Sequence, residues 1–401
     1  MKSEAPKVLH TVCARPMLGY VLDLVTGLRI SNVVTVLGFK HQEVRKIIGP
    51  GSKITVQKKL LGTADAVKVA LPLLKNFKGT VVILYGDIPL LKKETIRNLI
   101  KRHRDYASTA TLLTAKLEKP HGYGRILRDE YAGICGIVEE KDADDFQKDI
   151  KEINTGIICF QKNKLLEALK EVKPNNRKKE YYLTDVIQIL YRKGYLIDSL
   201  EIQDVDQTMG VNSRVDLSKA NKIMQQRINE EFMKQGVTII DPATAFISFD
   251  AKIGQDTVIY PFTVIEKNVT IGRCCSIGPF IRLRSGAKLK EKVTVGNFLE
   301  ISRSELGPRA VAKHFGFIGD TKIGSFVNVG AGTVTANYDG KNKNITVIED
   351  NAFIGSDTVL VAPVKIGKGA RTGAGSVVTR FTHVPAGTTV VGVPARPLKK
   401  K

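Results

Sequence analysis

Three residues carry side chains suited to chemistry at places where a fold would present them. Asp87 closes the run Tyr85-Gly86-Asp87, directly after the apolar stretch 81–84. If that stretch is a strand, the carboxylate stands at its carboxyl edge, where open α/β sheets bind their ligands. One carboxylate there suits Mg²⁺, which completes its shell with phosphates and water. His314 falls where a repeating pattern loses register, between Ser302 and Ile323. Interruptions of a solenoid map to its functional face, and an imidazole there can take up a proton near neutral pH. Arg284 offers the planar fork that grips oxyanions by two bonds at once. Taken singly, each has a plainer reading: a lone Asp after a strand is usually a turn residue, and a lone His is usually structural or solvated.

The element that must position His314 and Arg284 announces itself by a period of six. Ile253, Ile259, Ile265, Ile271, Ile277, Leu283, Leu289, Val295 and Ile301 are all aliphatic, and the beat returns at Ile348, Ile354, Leu360 and Ile366. Six fits neither a helix nor a plain strand. It fits a chain that turns a corner every six residues and points one aliphatic side chain inward per side, so that coils cover one another. Gly follows the inward residue at Gly254, Gly272, Gly278, Gly296, Gly355 and Gly367, which suggests corners that need φ freedom. The register breaks again across the polar stretch Asn337–Asn344.

Asp87 belongs to a different kind of element. Before about Gly210, strand-like runs (33–36, 81–84, 109–113, 156–160) alternate with amphipathic stretches (17–28, 94–103, 165–172, 182–191). That alternation predicts an α/β domain with a mostly parallel sheet. A helical spacing of apolar residues over 213–236, closed by Gly236, predicts the connector. The expected plan is an α/β domain at 1–212, a linker helix at 213–236 and the coil region at 237–401.

Composition narrows the class. With 401 residues, 43% hydrophobic and 25% charged, the chain is an ordinary globular protein of two or three domains. No apolar run nears the roughly 20 residues of a membrane span, so no membrane insertion is expected. Five cysteines without CxxC spacing argue against a disulfide framework or zinc site and for a reducing cytoplasm. The net charge of +22 fits phosphorylated substrates drawn in at long range. The lysines are scattered, apart from the tail Leu398–Lys401, and no aromatic clusters interleave with them, so nucleic acid is not expected as a partner.

The ordered motifs PKVLH (6–10), LGTADA (61–66), GDIPLL (86–91), GYGRI (122–126), IVEEKDA (137–143), EINTGI (152–157), YYLTD (181–185) and GVNSR (210–214) resemble the pyrophosphorylase half of one family. It is the bacterial bifunctional UDP-N-acetylglucosamine pyrophosphorylase / glucosamine-1-phosphate N-acetyltransferase. The coil region continues the likeness with RLRSG (282–286), GNFLEI (296–301), KHFGFIGD (313–320), NVGAGT (328–333), NYDGKNK (337–343) and FIGSDT (353–358). The resemblance implies an α/β nucleotidyltransferase of Rossmann-like type, then a left-handed β-helix of hexapeptide repeats that associates as a homotrimer. It implies acetyl transfer from acetyl-CoA to glucosamine 1-phosphate, then uridylyl transfer from UTP with release of pyrophosphate. It further implies Mg²⁺ held at Asp87 and Asn212, a phosphate-contacting Lys7, uracil and ribose contacts at Gln57, Gly62 and Thr63, and a sugar site at Gly124, Glu139, Asn154, Tyr182 and Thr184. In the acyl half it implies His314 as general base and Arg284 as a phosphate contact. Asn328, Asn337 and Lys343 match the sugar-phosphate site, with Asn337 also orienting the reacting groups, and Tyr338, Ser356 and Ala374 match positions near acetyl-CoA.

The sequence departs from the pattern at named places. The family opens with a strand and a glycine-rich turn before PKVLH, whereas here Met1 stands at the end of that motif. This leads to the expectation of a truncated chain whose α/β domain exposes two unpaired ladders, with a catalytically inactive first half or a basic trimeric scaffold for polyanions as the alternatives. Leu60 stands where the family has Gln, and Asp65 where it often has His. Ser302 replaces a phosphate-binding Lys, and Phe317 a Tyr. Arg303 is expected to point away from Ser302 if that stretch is a strand.

Overall fold

A computed structural model describes residues 1–398, so most of the basic tail at Leu398–Lys401 lies outside the described residues. The chain divides into two units, Met1–Asn221 and Lys222–Lys401.

In the first unit the strands are β1 Thr11–Val12, β2 Arg15–Pro16, β3 Val33–Leu37, β4 Ser52–Val56, β5 Thr80–Ile83, β6 Ala110–Lys116, β7 Gly124–Arg128, β8 Ile134–Val138, β9 Glu152–Gln161 and β10 Ile197–Ile202. The helices are α1 Met17–Gly27, α2 His41–Arg45, α3 Thr63–Ala70, α4 Lys93–Asp105, α5 Asp145–Lys148, α6 Lys162–Leu169 and α7 Asp185–Arg192, with α8 Arg214–Lys234 continuing into the second unit. The main sheet is mixed. β10 runs parallel to β6, while the ten-residue β9 pairs antiparallel with β5, β6 and β7. Leu112, Leu113, Ile157, Ile158 and Phe160 are buried at its centre, each worth about 2 kcal/mol relative to exposure. β3 and β4 form a separate parallel pair. Among the described residues β3 pairs on one edge and β5 on one edge.

The second unit is a prism of three parallel sheets. Strands of two to four residues follow one another around it, each pairing with the strand one coil later. Ile259, Ile265, Ile271, Ile277, Leu283, Leu289, Val295 and Ile301 all point inward and are buried. The first coil spans 20 residues (Ile239↔Ile259), the period is then 18 from Ile247↔Ile265 to Leu283↔Ile301, and it becomes 17 at Leu289↔Leu306 and 25 at Ile323↔Ile348. The short coil lies in the predicted register break, and the long one carries the loop 337–344. Asn229 of α8 is wholly buried and donates to the carbonyls of Pro242 and Ala245 at 2.8 and 3.1 Å, which ties the helix to the first coil.

The corner glycines are present for another reason than φ freedom. Of the six named above only Gly278 has a positive φ. At Gly254, Gly272, Gly355 and Gly367 an added Cβ would lie 2.6–2.7 Å from backbone of the next coil. Coils stack too closely there for any side chain, a packing demand. The left-handed corner positions are filled instead by Asp256, Phe262, Asn268, Cys274, Phe280, Lys292 and Phe298.

Candidate active sites

The first site assembles at the carboxyl ends of the strands. Lys7, in a short 3₁₀ turn (Lys7–Leu9), pairs with the carboxylate of Asp87 and donates to Asn212 Oδ1. Lys7 and Asn212 come from opposite ends of the unit and Asp87 from between them. The Val211 amide donates to the Asp87 carbonyl at 3.0 Å, and Asp216 accepts from the amides of Asn212 and Ser213 at 3.1 and 2.8 Å, so the Asn212 turn is held by the start of α8. Two oxygen donors, a carboxylate and an amide, therefore converge on one point. They fit a hard cation that takes its remaining ligands from phosphate and water. Among the described residues no group of three His, Cys, Asp or Glu could cage a metal unaided.

Gln57 leaves β4 with its amide bonded to the Leu37 carbonyl of β3 at 2.8 Å. Gly62 has φ +115°, and a Cβ there would strike the Tyr181 backbone at 2.5 Å, so only glycine lets the 57–63 turn close against the 181–184 stretch. Thr63 Oγ1 accepts from the Leu183 amide at 2.9 Å. Thr184 Oγ1 donates to Glu139 at 3.1 Å, and the Glu139 carboxyl is raised above its ordinary range by burial. Gly124 sits opposite Asn154 in the β7–β9 ladder, and its missing side chain leaves room for Ile137 and Glu139. Burial pushes the Tyr182 phenol up to about 12, so it stays a neutral hydrogen-bonding group.

Two members of this site were not singled out for it from sequence. Tyr85 is half-buried beside Asp87, Glu139 and Thr63, its phenol raised first by burial and then by the two carboxylates; it is the side chain that the Asp87 and Glu139 ends of the cluster share. Asp65 accepts from Gln57 Nε2 at 2.8 Å. A lone Tyr or Asp carries no spacing signal.

The second site lies on the prism. Phe262, Phe280 and Phe298 stack up one corner, between the first and second sheets, with ring centroids 4.8 and 5.2 Å apart. His314 and Phe315 form the next rung, and both are exposed. Ser356 and Ala374 occupy the same corner in later coils, where the Gly375 amide bonds the Ser356 carbonyl at 2.8 Å.

The remaining residues sit at the next corner. Arg284 donates to Glu300 at 2.8 Å. Asp320 is paired by both arms of Arg303, at 2.7 and 2.8 Å, and by the Asn337 amide. Arg303, and then Asn337, hold its carboxyl below the usual range. Tyr338 and Lys343 bridge across the loop, and the Tyr338 hydroxyl donates to the Gly340 carbonyl at 2.6 Å. Asn328 opens a strand of the first sheet, so it stands apart from this cluster.

Arg303 does not point away from Ser302. The strand ends at Ser302 and the chain turns at Arg303, with φ 48°, which lets the guanidinium donate to Ser302 Oγ at 2.9 Å. Phe317 lies over Gly319, where a Cβ would meet the ring at 2.6 Å.

The Nucleotidyl transferase family matches residues 2–206, and the Bacterial transferase hexapeptide (six repeats) family matches 250–280 and 345–380. The chain is similar along nearly its whole length to proteins named Bifunctional protein GlmU. That of Geobacillus sp. (strain WCH70) is 44% identical over 94% of this chain and 90% of its own length. That of Shouchella clausii (strain KSM-K16) is 44% identical over 94% and 91%. That of Heliobacterium modesticaldum (strain ATCC 51547 / Ice1) is 42% identical over 98% and 92%.

Proposed function

This chain belongs to the family of bifunctional GlmU proteins, and from that premise we infer how its two sites share the synthesis of UDP-N-acetylglucosamine. It is a transferase with both acetyltransferase and uridylyltransferase activities. The observation that carries the reading is the convergence of Lys7, Asp87 and Asn212 from both ends and the middle of one unit, together with an imidazole exposed on a hexapeptide coil.

In the acyl half, His314 takes the proton that the amine of glucosamine 1-phosphate must lose before attacking the thioester. Arg284 and Lys343 hold the phosphate, Asn328 and Asn337 the sugar, and Tyr338, Ser356 and Ala374 border acetyl-CoA. Arg303, anchored on Asp320 and touching Ser302, places a cation beside Ser302, where the family resemblance implies a phosphate-binding Lys. The geometry also favours a homotrimer. His314 and the Arg284–Asn337 cluster lie on two corners separated by the strand Gly316–Gly319, about 13 Å of extended chain, a gap that a neighbouring copy in a trimer would close.

In the nucleotidyl half, Gln57, Gly62 and Thr63 receive uracil and ribose, and Gly124, Glu139, Asn154, Tyr182 and Thr184 receive N-acetylglucosamine 1-phosphate. Asp87 and Asn212 would hold Mg²⁺, which would neutralise charge on the triphosphate. Lys7, already bridging those two residues, adds a second positive charge on the phosphates, since such transfer rests on positioning and electrostatics. Among the described residues no helix is long and apolar enough to cross a membrane, and no disulfide joins two cysteines. Purified protein supplied with glucosamine 1-phosphate, acetyl-CoA, UTP and Mg²⁺ should release CoA and then pyrophosphate. If neither product forms, the reading is wrong.

A further inference from the structure

The geometry points to Asp65 as the residue that makes the base pocket select uracil over cytosine, by fixing which end of the Gln57 amide faces the base. The proposal rests on the reading of Gln57 as a base contact and adds a positioning residue to it.

Gln57 is 9% exposed, so its amide cannot turn freely and its polar atoms need partners. Its Nε2 donates to the Gly62 carbonyl at 3.0 Å and to Asp65 Oδ2 at 2.8 Å. Both partners are acceptors only: a carbonyl has no hydrogen, and an ionised carboxylate has none. The usual ambiguity between the O and N ends of a glutamine amide is therefore removed by chemistry. A flipped amide would set Oε1 against two oxygens. Both N–H bonds are spent inside the protein, and among the described residues no donor reaches Oε1. What Gln57 offers a ligand is one acceptor.

That acceptor lies where the parallel pair β3–β4 ends, since the backbone N–H of Gln57 donates to the carbonyl of the last residue of β3, Leu37. Gly62, at φ +115° against the Tyr181 backbone, fixes the carbonyl that takes the first N–H. Asp65, on the first turn of α3, takes the second. Uracil presents a donor at N3 and cytosine an unprotonated nitrogen at the same place. An Oε1 held outward pairs with the first and opposes the lone pair of the second. Asp65→Asn replaces one of these two acceptors with a group that can also donate, so the turned amide is opposed by the Gly62 carbonyl alone and its N–H can face the base.

The test is equilibrium binding of UTP and of CTP, each with Mg²⁺, to the full chain by titration calorimetry. The protein should bind UTP tighter than CTP by about tenfold or more, one hydrogen bond's worth of discrimination. In Asp65→Asn the ratio should fall to within about threefold, with CTP gaining as UTP loses, while Asp65→Glu, which keeps an acceptor, should restore most of the preference. Gln57→Ala should abolish the preference. If Gln57→Ala relaxes selection and Asp65→Asn does not, Asp65 does not aim the amide and the proposal fails while the base contact stands. If Gln57→Ala keeps the full ratio, the base contact itself is wrong. No preference in the unaltered protein refutes both.

Discussion

Gly296 offers a way to disturb the acetyl site without touching a residue that contacts substrate. It follows the inward Val295 and donates its amide to the Ala312 carbonyl at 2.8 Å in the next coil. A Cβ added there would fall on the carbonyl oxygen of Lys313 and only 2.7 Å from its Cα. Lys313 immediately precedes His314. To accept Ala, the Lys313 backbone must withdraw by about 1 Å before contact distances become tolerable. Overpacking of this kind costs about 1–3 kcal/mol, or roughly 2–12 °C in Tm for a unit of this size. The rate effect should be larger than the stability effect, because a misplacement of about 1 Å can cost on the order of 10²-fold. Gly254→Ala is the control: its Cβ would meet the backbone of Gly272 and Arg273 at 2.7 Å, the same kind of clash far from His314. Thiol release from acetyl-CoA should drop about 100-fold in Gly296→Ala and stay within about threefold in Gly254→Ala, with a Tm loss in both that is the larger in Gly296→Ala. Equal thiol release in the two variants would refute the claim that this coil contact places the imidazole.

Other consequences concern the first unit. Arg125 is 2% exposed and donates to the Tyr123 and Lys148 carbonyls while pairing with Glu140 at 2.8 Å; Arg125→Met should lower stability by about 3 kcal/mol in urea unfolding, since it strands two carbonyls and a carboxylate. Burial, then Glu139 and Asp142, raise the Asp185 carboxyl to about 6. A folded pKa above the unfolded value means stability fully present below about 4 and lost as pH rises through 6. Asp185→Asn should therefore flatten the Tm profile between pH 4 and 7 and raise Tm above pH 6; an unchanged profile would count against the burial argument. Asp320→Asn should free Arg303 and raise the KM for glucosamine 1-phosphate several-fold with a smaller change in kcat, read from thiol release.

The prism was legible in sequence because its code is local: one inward aliphatic per six residues, from Ile259 through Ile301, is both the repeat and the core. The reason for its glycines was not legible. A Gly after each inward residue looks the same whether φ or the next coil demands it, and only stacking distances separate the two. In the α/β unit the apolar strands 33–36 and 81–84 were readable, whereas Ser52–Val56 with its polar alternation and the short α2 and α3 were not. Strand direction was equally hidden, since apolar runs and helices alternate in the same way whether β9 lies parallel or antiparallel to its neighbours. Asp87 and His314 stood out through position relative to an edge and a register break. Asp65 and Tyr85 act only through partners distant in sequence, and Arg303 through a corner that a strand reading of 299–303 conceals.

One chain carrying two separately built sites, one centred on His314 and the other on Asp87, should lose its two activities separately. The most direct measurement follows thiol release and pyrophosphate release in parallel for His314→Ala and Asp87→Ala, with N-acetylglucosamine 1-phosphate supplied for the second reaction. His314→Ala should lose thiol release by on the order of 10²–10⁴-fold and keep pyrophosphate release, and Asp87→Ala should do the reverse. A His314→Ala protein that still releases thiol at the unaltered rate, or either variant losing both products, would contradict the account.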